Sequence, residues 1–274
     1  MAITIGSFLF GFDTGSSPGA LLFIRDEFGL TSFEQSSVVS VLLLGAVAGA
    51  LGSGKVSDRY GRRPLLAGLG VLFLLGIIVA AVANGYWMLL LGRIIMGLAV
   101  GGVSATVPTY LGEMAPAQIR GRVLSLNQLL ITLGLLTSYL VNWAFAESEQ
   151  WRAMFWVGGI PSALLVLVCL WLPESPVWQI NNGKTDRARR TLDRVTEPGG
   201  ADLVVSRYDD TEAGPGAGQR ESEGQAGAET AGMRALLAPA VRPALLVGVI
   251  LAALQQFSGI TFVDESLRGE ARSS

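Results

Sequence analysis

Seven stretches of about 20 mostly apolar residues constrain the fold of this 274-residue chain more than any other feature. A helix of about 20 residues crosses the hydrocarbon core of a bilayer, and helices satisfy their own backbone hydrogen bonds in lipid. Only 15% of the residues are charged, against about 25% in soluble domains. We therefore expect an all-α transmembrane protein. Its predicted spans cover residues 2–24, 36–54, 64–83, 86–111, 123–144, 153–172 and 243–263.

The distribution of basic residues predicts the orientation of these spans. Fifteen of the 20 lysines and arginines fall in loops on one side, whereas the loops on the other side hold Arg25 and Arg152. Cytoplasmic loops of membrane proteins are enriched in Lys and Arg. We therefore expect a multi-pass protein of the plasma membrane with its N-terminus in the cytoplasm.

The spans divide the chain into four parts. Residues 1–180 form a six-span bundle, and residues 181–242 form a cytoplasmic linker whose middle is rich in Gly, Ala and Glu. A short amphipathic helix is expected at residues 184–195, with Leu192 and Val195 on one face. Residues 243–263 form the seventh span, and residues 264–274 form a polar tail.

Several classes of function are excluded by what the sequence lacks. There is no histidine and a single cysteine, Cys169, so we expect no histidine-dependent catalysis, disulfide or metal site. Residues 49–55 have the spacing of a phosphate-binding loop, but Val56 stands where Ser or Thr would contact Mg²⁺. We therefore expect no enzyme, no cofactor and no nucleotide or nucleic-acid partner. A light-driven pump is disfavoured because Lys55 and Lys184 lie outside the spans.

The loop between the second and third spans carries an unusual pattern. It reads GKVSDRYGRRP at residues 54–64. An ordinary cytoplasmic loop explains its arginines but neither Asp58 nor the glycines at 54 and 61. This loop resembles the signature loop of the major facilitator superfamily.

Five further motifs in order resemble the sugar porter branch of that superfamily. They are GFDTG at 11–15, GRxxxGxxxG at 92–101, PxYxxExAP at 108–116, PESP at 173–176 and QQFSGI at 255–260. The resemblance implies the N-terminal six-helix bundle of this fold plus one helix of the C-terminal bundle. It also implies an ion-paired cytoplasmic gate, for which solvated loop charge is the alternative. The gate residues are Asp58, Arg59, Arg62, Arg63, Glu113, Arg120 and Glu174.

Asp13 and Arg93 are ionisable groups inside predicted spans, where such groups are costly and often functional. They meet only if the first and fourth spans pack, and small residues at four-residue spacing permit such packing. Those residues are Gly11, Gly15 and Gly19 on the first span and Gly97 and Gly101 on the fourth. The two charges form either a fixed ion pair or a proton-coupling pair. The resemblance implies proton coupling.

Glutamines at membrane depth are candidate substrate ligands. A carboxamide both donates and accepts hydrogen bonds without net charge, which suits a neutral sugar or polyol. The candidates are Gln128, Gln255 and Gln256, with Thr132 weaker, and the resemblance implies that such glutamines bind sugar hydroxyls. Hydrogen bonding between helices is the alternative. The sequence therefore predicts proton-coupled sugar uptake. A carrier for another small solute and an uncoupled sugar facilitator are the alternative functions.

The sequence departs from the family pattern at three places. Val177 replaces an arginine, residues 16–18 read Ser-Ser-Pro with a kink expected at Pro18, and Thr261 replaces an asparagine. The match ends after residue 261, and the family fold has twelve spans. We therefore expect a chain from a truncated or frameshifted reading frame, which does not transport alone.

Overall fold

The computed structural model describes residues 2–115, 119–146, 148 and 150–192. This part of the chain forms eight α-helices and a 3-10 turn at Ala2–Thr4, with no strand. The helices are α1 (Ile5–Phe28), α2 (Ser32–Tyr60), α3 (Arg62–Ala81), α4 (Tyr86–Met114), α5 (Arg120–Ala146), α6 (Trp151–Trp171), α7 (Pro176–Asn181) and α8 (Thr185–Leu192). The predicted seventh span, most of the linker and the tail lie outside the described residues.

Five of these helices, α2 to α6, are long and apolar enough to cross a membrane. The helix α1 has 24 residues, which span about 36 Å, but it carries Asp13 and several hydroxyl side chains. Ser7, Asp13 and Ser16 are buried because α1 packs against α4, α5 and α6. The all-α transmembrane fold expected from the sequence is confirmed, with six long helices in one bundle.

The bundle is built on two close helix pairs, α1 with α5 and α2 with α4. Glycines make both pairs possible because their backbones touch. A Cβ atom at Gly11 would overlap the carbonyl oxygen of Ile131, and one at Gly101 would overlap that of Ala46. The helix α3 packs against α4 and α6 and completes the bundle.

These pairings correct the expectation that the glycines join the first span to the fourth. Gly11, Gly15 and Gly19 of α1 face α5, and Gly97 and Gly101 of α4 face α2. Small residues at four-residue spacing mark a face that admits a close neighbour, but they do not identify that neighbour. Contact between α1 and α4 instead includes a hydrogen bond between Arg93 and Ser17.

The two short helices lie at the end of α6. Ser175 caps α7 by accepting a hydrogen bond from the backbone N–H of Trp178. The helix α8 occupies the segment where a short amphipathic helix was expected, and its Ala188 packs with Ile180 and Leu192. Val195, expected on the same face, lies outside the described residues.

Candidate functional site

Two charged side chains are buried among the spans. Asp13 of α1 and Arg93 of α4 are each only 1% exposed. The guanidinium of Arg93 donates to the hydroxyl of Ser17 at 2.7 Å and lies 4.7 Å from the centre of the Phe155 ring. Within the described chain, the two carboxylate oxygens of Asp13 have no hydrogen-bond partner, and the Nε of Arg93 has none either. Three helices, α1, α4 and α6, therefore meet at this charged site.

The structure brings Asp13 and Arg93 close enough to interact electrostatically, but it does not join them in a direct ion pair. Of the two alternatives for these residues, the fixed ion pair is thus not the arrangement seen here. Ser17 and Phe155, which contact Arg93, were not expected from the sequence. Ser17 could have been found because it lies one helical turn after Asp13, whereas Phe155 carried no local signal.

Polar side chains fix α5 against α1 near this site. The amide of Asn142 donates to the backbone carbonyl of Gly15 at 2.9 Å, and Ser7 donates to the side chain of Asn127. Hydrogen bonds of this kind stabilise contacts between helices in membranes. They fix the position of α1 relative to α5 on both sides of Asp13 along the helix.

Gln128 is exposed on α5, next to the buried Asn127. Thr132 lies one turn further along, also exposed, and its hydroxyl donates to the backbone carbonyl of Gln128 at 3.2 Å. The side chain of Gln128 is therefore left uncovered by the other helices that the structure describes. Gln255 and Gln256, the other two glutamine candidates, lie outside the described residues.

A cluster of charged side chains joins α2, α3, α4 and the segment after α6 at one end of the bundle. Arg62 forms a two-pronged contact with Glu113, with distances of 3.1 and 2.9 Å, and an ion pair with Asp58 at 3.1 Å. The Arg62 side chain is 10% exposed, so these hydrogen bonds are partly shielded from water. This basic-end cluster comprises Asp58, Arg62, Arg63, Glu113 and Glu174.

Glu174 and Arg63 cap two helices from opposite directions. The carboxylate of Glu174 accepts hydrogen bonds from the backbone N–H groups of Arg62 at 3.0 Å and Arg63 at 3.2 Å, at the start of α3. Arg63 donates to the carbonyls of Cys169 at 2.7 Å and Leu170 at 2.6 Å, at the end of α6. Both contacts satisfy backbone groups that helix ends leave unpaired, and both charges suit the helix dipoles.

Gly61 is required by this arrangement because its φ of 104° lies in the left-handed region. A Cβ atom there would also overlap the carboxylate of Glu174. Because Val177 replaces the arginine of the family pattern, residue 177 offers Glu174 no positive charge, and Glu174 needs other partners. In the structure those partners are backbone N–H groups.

Two residues expected in the gate stand apart from it. Arg59 is exposed and lies over the ring of Tyr60 at 5.5 Å. Arg120 is exposed at the first residue of α5, and within the described part of the chain it forms no ion pair. Residues adjacent on a helix point about 100° apart, so Arg59 cannot share the direction of Asp58.

Aromatic side chains contribute contacts that the sequence did not predict. Trp178 of α7 donates its indole N–H to the carbonyl of Asp58 at 2.8 Å, and Lys184 lies 4.6 Å from the centre of its ring. Tyr110 donates to the carbonyl of Pro173 at 2.8 Å. These bonds attach the segment after α6 to α2 and α4.

A second group of polar contacts, the outer cluster, lies at the other end of the bundle. Glu27 at the end of α1 accepts hydrogen bonds from Arg152 at 2.8 Å and from the indole of Trp151 at 2.5 Å. Arg152 also donates to the carbonyl of Ala83 at 3.1 Å. The hydrogen bonds from Arg152 hold the pKa of Glu27 below its ordinary value, and that from Trp151 acts in the same direction.

A helical membrane bundle with charges buried between its spans and ion pairs at its helix ends is typical of secondary transporters. Residues 1–264 match the family described as sugar (and other) transporter. The chain belongs to this family, the sugar porters of the major facilitator superfamily. Its relatives are transporters, not enzymes, and it is an integral membrane protein.

The relatives include named sugar transporters. The glucose transporter GlcP of Staphylococcus epidermidis is 39% identical over 259 residues, which are 94% of this chain and 55% of the relative. The arabinose-proton symporter of Escherichia coli is 36% identical over 283 residues, covering 96% of this chain and 53% of the symporter. The chain spans about half the length of the curated relatives it matches.

Solved structures agree with this assignment. A structure of the proton:xylose symporter XylE, with bound 6-bromo-6-deoxy-D-glucose, superposes with a TM-score of 0.69 at 31% identity. The match covers 75% of this chain and 50% of XylE. The described bundle therefore has the fold of one half of such a symporter.

Proposed function

We propose that this chain forms the first half of a proton-coupled carrier of a neutral sugar or polyol. The observation that carries the proposal is the site at Asp13 and Arg93, where two charges are buried within the spans without a direct ion pair. Charged groups inside a membrane protein are costly and are retained where ions or protons move. The names of the relatives, a glucose transporter and an arabinose-proton symporter, support the substrate class.

Proton coupling is possible because the carboxylate of Asp13 can pair either with the guanidinium of Arg93 or with a proton. When the guanidinium of Arg93 turns toward it, the carboxylate is stable as an anion. When Arg93 is held elsewhere, the carboxylate of Asp13 is buried and unpaired, and binding a proton lowers its free energy. If sugar binding changes the position of α1 relative to α4, proton uptake is linked to that change.

Sugar hydroxyls bind the carboxamides of Gln128, Gln255 and Gln256 in this proposal. Each carboxamide offers both a donor and an acceptor, which matches a hydroxyl group. The exposed position of Gln128 on α5 leaves its side chain accessible to a ligand. In carriers built from two bundles the substrate site lies near the middle of the membrane.

The basic-end cluster is the cytoplasmic gate of the carrier. Its ion pairs join α2, α3 and α4, and its caps join α3 to the end of α6. Breaking the partly buried ion pair of Arg62 with Glu113 costs free energy, so the gate favours one conformation until these helices separate. Arg59 and Arg120 contribute positive charge to the same surface without joining the ion pairs.

Asp13→Asn tests the coupling. The chain is reconstituted in vesicles with a fragment of XylE that supplies spans eight to twelve, and uptake of radiolabelled xylose, glucose and arabinose is measured with and without an inward proton gradient. We expect Asp13→Asn to abolish accumulation and to leave exchange intact, because the amide cannot bind the proton. Vesicles that hold this chain alone are expected to show no uptake.

Asp26→Asn is the matched control, since Asp26 is an exposed acid at the end of the same helix. It should accumulate sugar as the unchanged protein does. Normal accumulation by Asp13→Asn would contradict the coupling role and favour an uncoupled sugar facilitator. Uptake of none of the three sugars would favour another small solute.

A further inference from the structure

We infer that Ser17 and Phe155 are positioning residues that hold Arg93 away from Asp13. This inference rests on the proposed coupling role of Asp13 and Arg93. It adds a position for the arginine side chain other than contact with Asp13. We call this position the seat, and it consists of the Ser17 hydroxyl and the face of the Phe155 ring. Both residues lie outside the motifs that identify the family.

The contacts of Arg93 carry the inference. Its Nη1 donates to Ser17 at 2.7 Å, and its guanidinium carbon lies 4.7 Å from the ring centre of Phe155. A guanidinium within about 6 Å of an aromatic ring centre is attracted by the ring face, and more strongly where water is excluded. Arg93 and Phe155 are 1% and 2% exposed, so this interaction is well shielded.

Ser17 connects the arginine to the helix that carries the acid. Its hydroxyl accepts from Arg93 and donates to the backbone carbonyl of Asp13 at 2.9 Å. Both hydrogen-bonding functions of this hydroxyl are therefore used. An alanine at residue 17 would remove this acceptor and leave Asp13, one helical turn away on α1, as the anion toward which Arg93 can turn.

Phe155 is itself fixed by its neighbours. Its ring packs edge-on against Trp151 with the ring centres 5.8 Å apart, and the Trp151 indole is bonded to Glu27. Trp151 therefore connects the Phe155 ring, over which Arg93 lies, to the outer cluster. A movement of α6 that displaces Phe155 would weaken the seat and release Arg93 toward Asp13.

Arginine NMR tests the seat directly in the full chain. The protein is labelled with ¹⁵N-arginine in lipid vesicles, and the Nε–H signal of Arg93 is assigned as the one lost in Arg93→Lys. A proton above a ring face is shielded, so we expect this signal upfield of the other arginine side chains. Phe155→Leu should move it downfield, and Phe155→Trp should keep it upfield.

Asp13→Asn separates the two positions of the arginine. If Arg93 rests on Ser17 and Phe155, this variant leaves the Arg93 signal in place. A shift with Asp13→Asn and none with Phe155→Leu would overturn the inference. Phe73→Leu is the control, because Phe73 is buried in α3 to the same degree as Phe155 and has no contact with Arg93 among the described ring contacts.

The uptake assay adds a functional readout. Ser17→Ala should lower sugar accumulation while exchange is retained, and Ser17→Thr, which keeps the hydroxyl, should restore it. Equal loss in Ser17→Ala and Ser17→Thr would contradict a role for the hydroxyl. Normal accumulation by Asp13→Asn would instead defeat the proposed function, whatever the NMR signal of Arg93 shows.

Discussion

Glycine determines where the helices of this bundle can touch. At Gly11 the backbone of α1 approaches the carbonyl of Ile131 so closely that no side chain fits between them. At Gly52 of α2, by contrast, no atom from another described helix lies within 4 Å of the place a Cβ would take. The same residue type therefore has opposite roles at the two positions.

Gly11→Ala is expected to destabilise the chain by about 1–3 kcal/mol, because the added methyl group forces α1 and α5 apart. Gly52→Ala should be neutral or stabilising by about 0.4–1 kcal/mol, since it only restricts the unfolded chain. Thermal unfolding of the two variants in detergent, followed by tryptophan fluorescence, measures the difference. Equal melting temperatures would contradict the close approach of α1 and α5.

Single residues were predicted from the sequence only where their chemistry is unusual for a membrane. Asp13 and Arg93 stood out because charges inside apolar spans are rare. Ser17 and Phe155 did not, since serine and phenylalanine are ordinary residues of such helices. Their contacts with Arg93 depend on which helices are neighbours, and the glycine spacing did not identify the neighbours.

At the scale of elements, the outer cluster fastens three helices at one end. Glu27 lies in the last turn of α1, Arg152 lies in the first turn of α6, and Ala83 follows α3. Glu27 lies beyond residue 24, where the predicted first span ends. The outer cluster is therefore outside the apolar part of the bundle, and protons from water can reach the carboxylate of Glu27.

The stability of the chain should depend on pH through Glu27. Its pKa in the folded chain is lowered, so its contribution is complete above the ordinary glutamate pKa and is lost as the pH falls through the folded value. We expect the unchanged chain to melt above Glu27→Gln near about pH 7 and the difference to shrink toward about pH 3. Melting curves over this range measure it.

Asp26→Asn again provides the control, because it removes a neighbouring exposed carboxylate. Its melting temperature should follow that of the unchanged chain at every pH. A constant difference between the unchanged chain and Glu27→Gln across the range would show that titration of Glu27 does not contribute.

The ends of elements were predicted less well than their existence. The second span was expected at residues 36–54, whereas α2 runs from Ser32 to Tyr60. Hydropathy reports where the apolar part ends, and a helix continues into the polar region as long as its backbone groups are satisfied. The capping box of Thr31 and Glu34 starts α2 four residues before the apolar run.

At the scale of the whole molecule, the described bundle has two chemically different ends. The basic-end cluster lies at one end, and the outer cluster, with the hydrogen bond between Ser37 and Tyr86, lies at the other. Successive spans alternate in direction, which the sequence pattern already required. Cytoplasmic placement of the basic end is the orientation that the positive-inside rule favours.

Labelling from outside the cell tests this orientation. In a Cys169→Ser background, Asp26→Cys and Arg122→Cys place single thiols at exposed positions on opposite ends. An impermeant maleimide should label Asp26→Cys in intact cells and Arg122→Cys only after permeabilisation. The reverse pattern would contradict a cytoplasmic N-terminus.

The backbone contacts of α1 with α5 and of α2 with α4 leave no compressible layer of side chains between these helices. Each of these two pairs is therefore expected to move as one rigid unit. The contacts of α1 with α4 and α6 are made by side chains instead, among them Ser17, Arg93 and Phe155. In a working carrier the changes of shape are then expected between the two pairs and not within them.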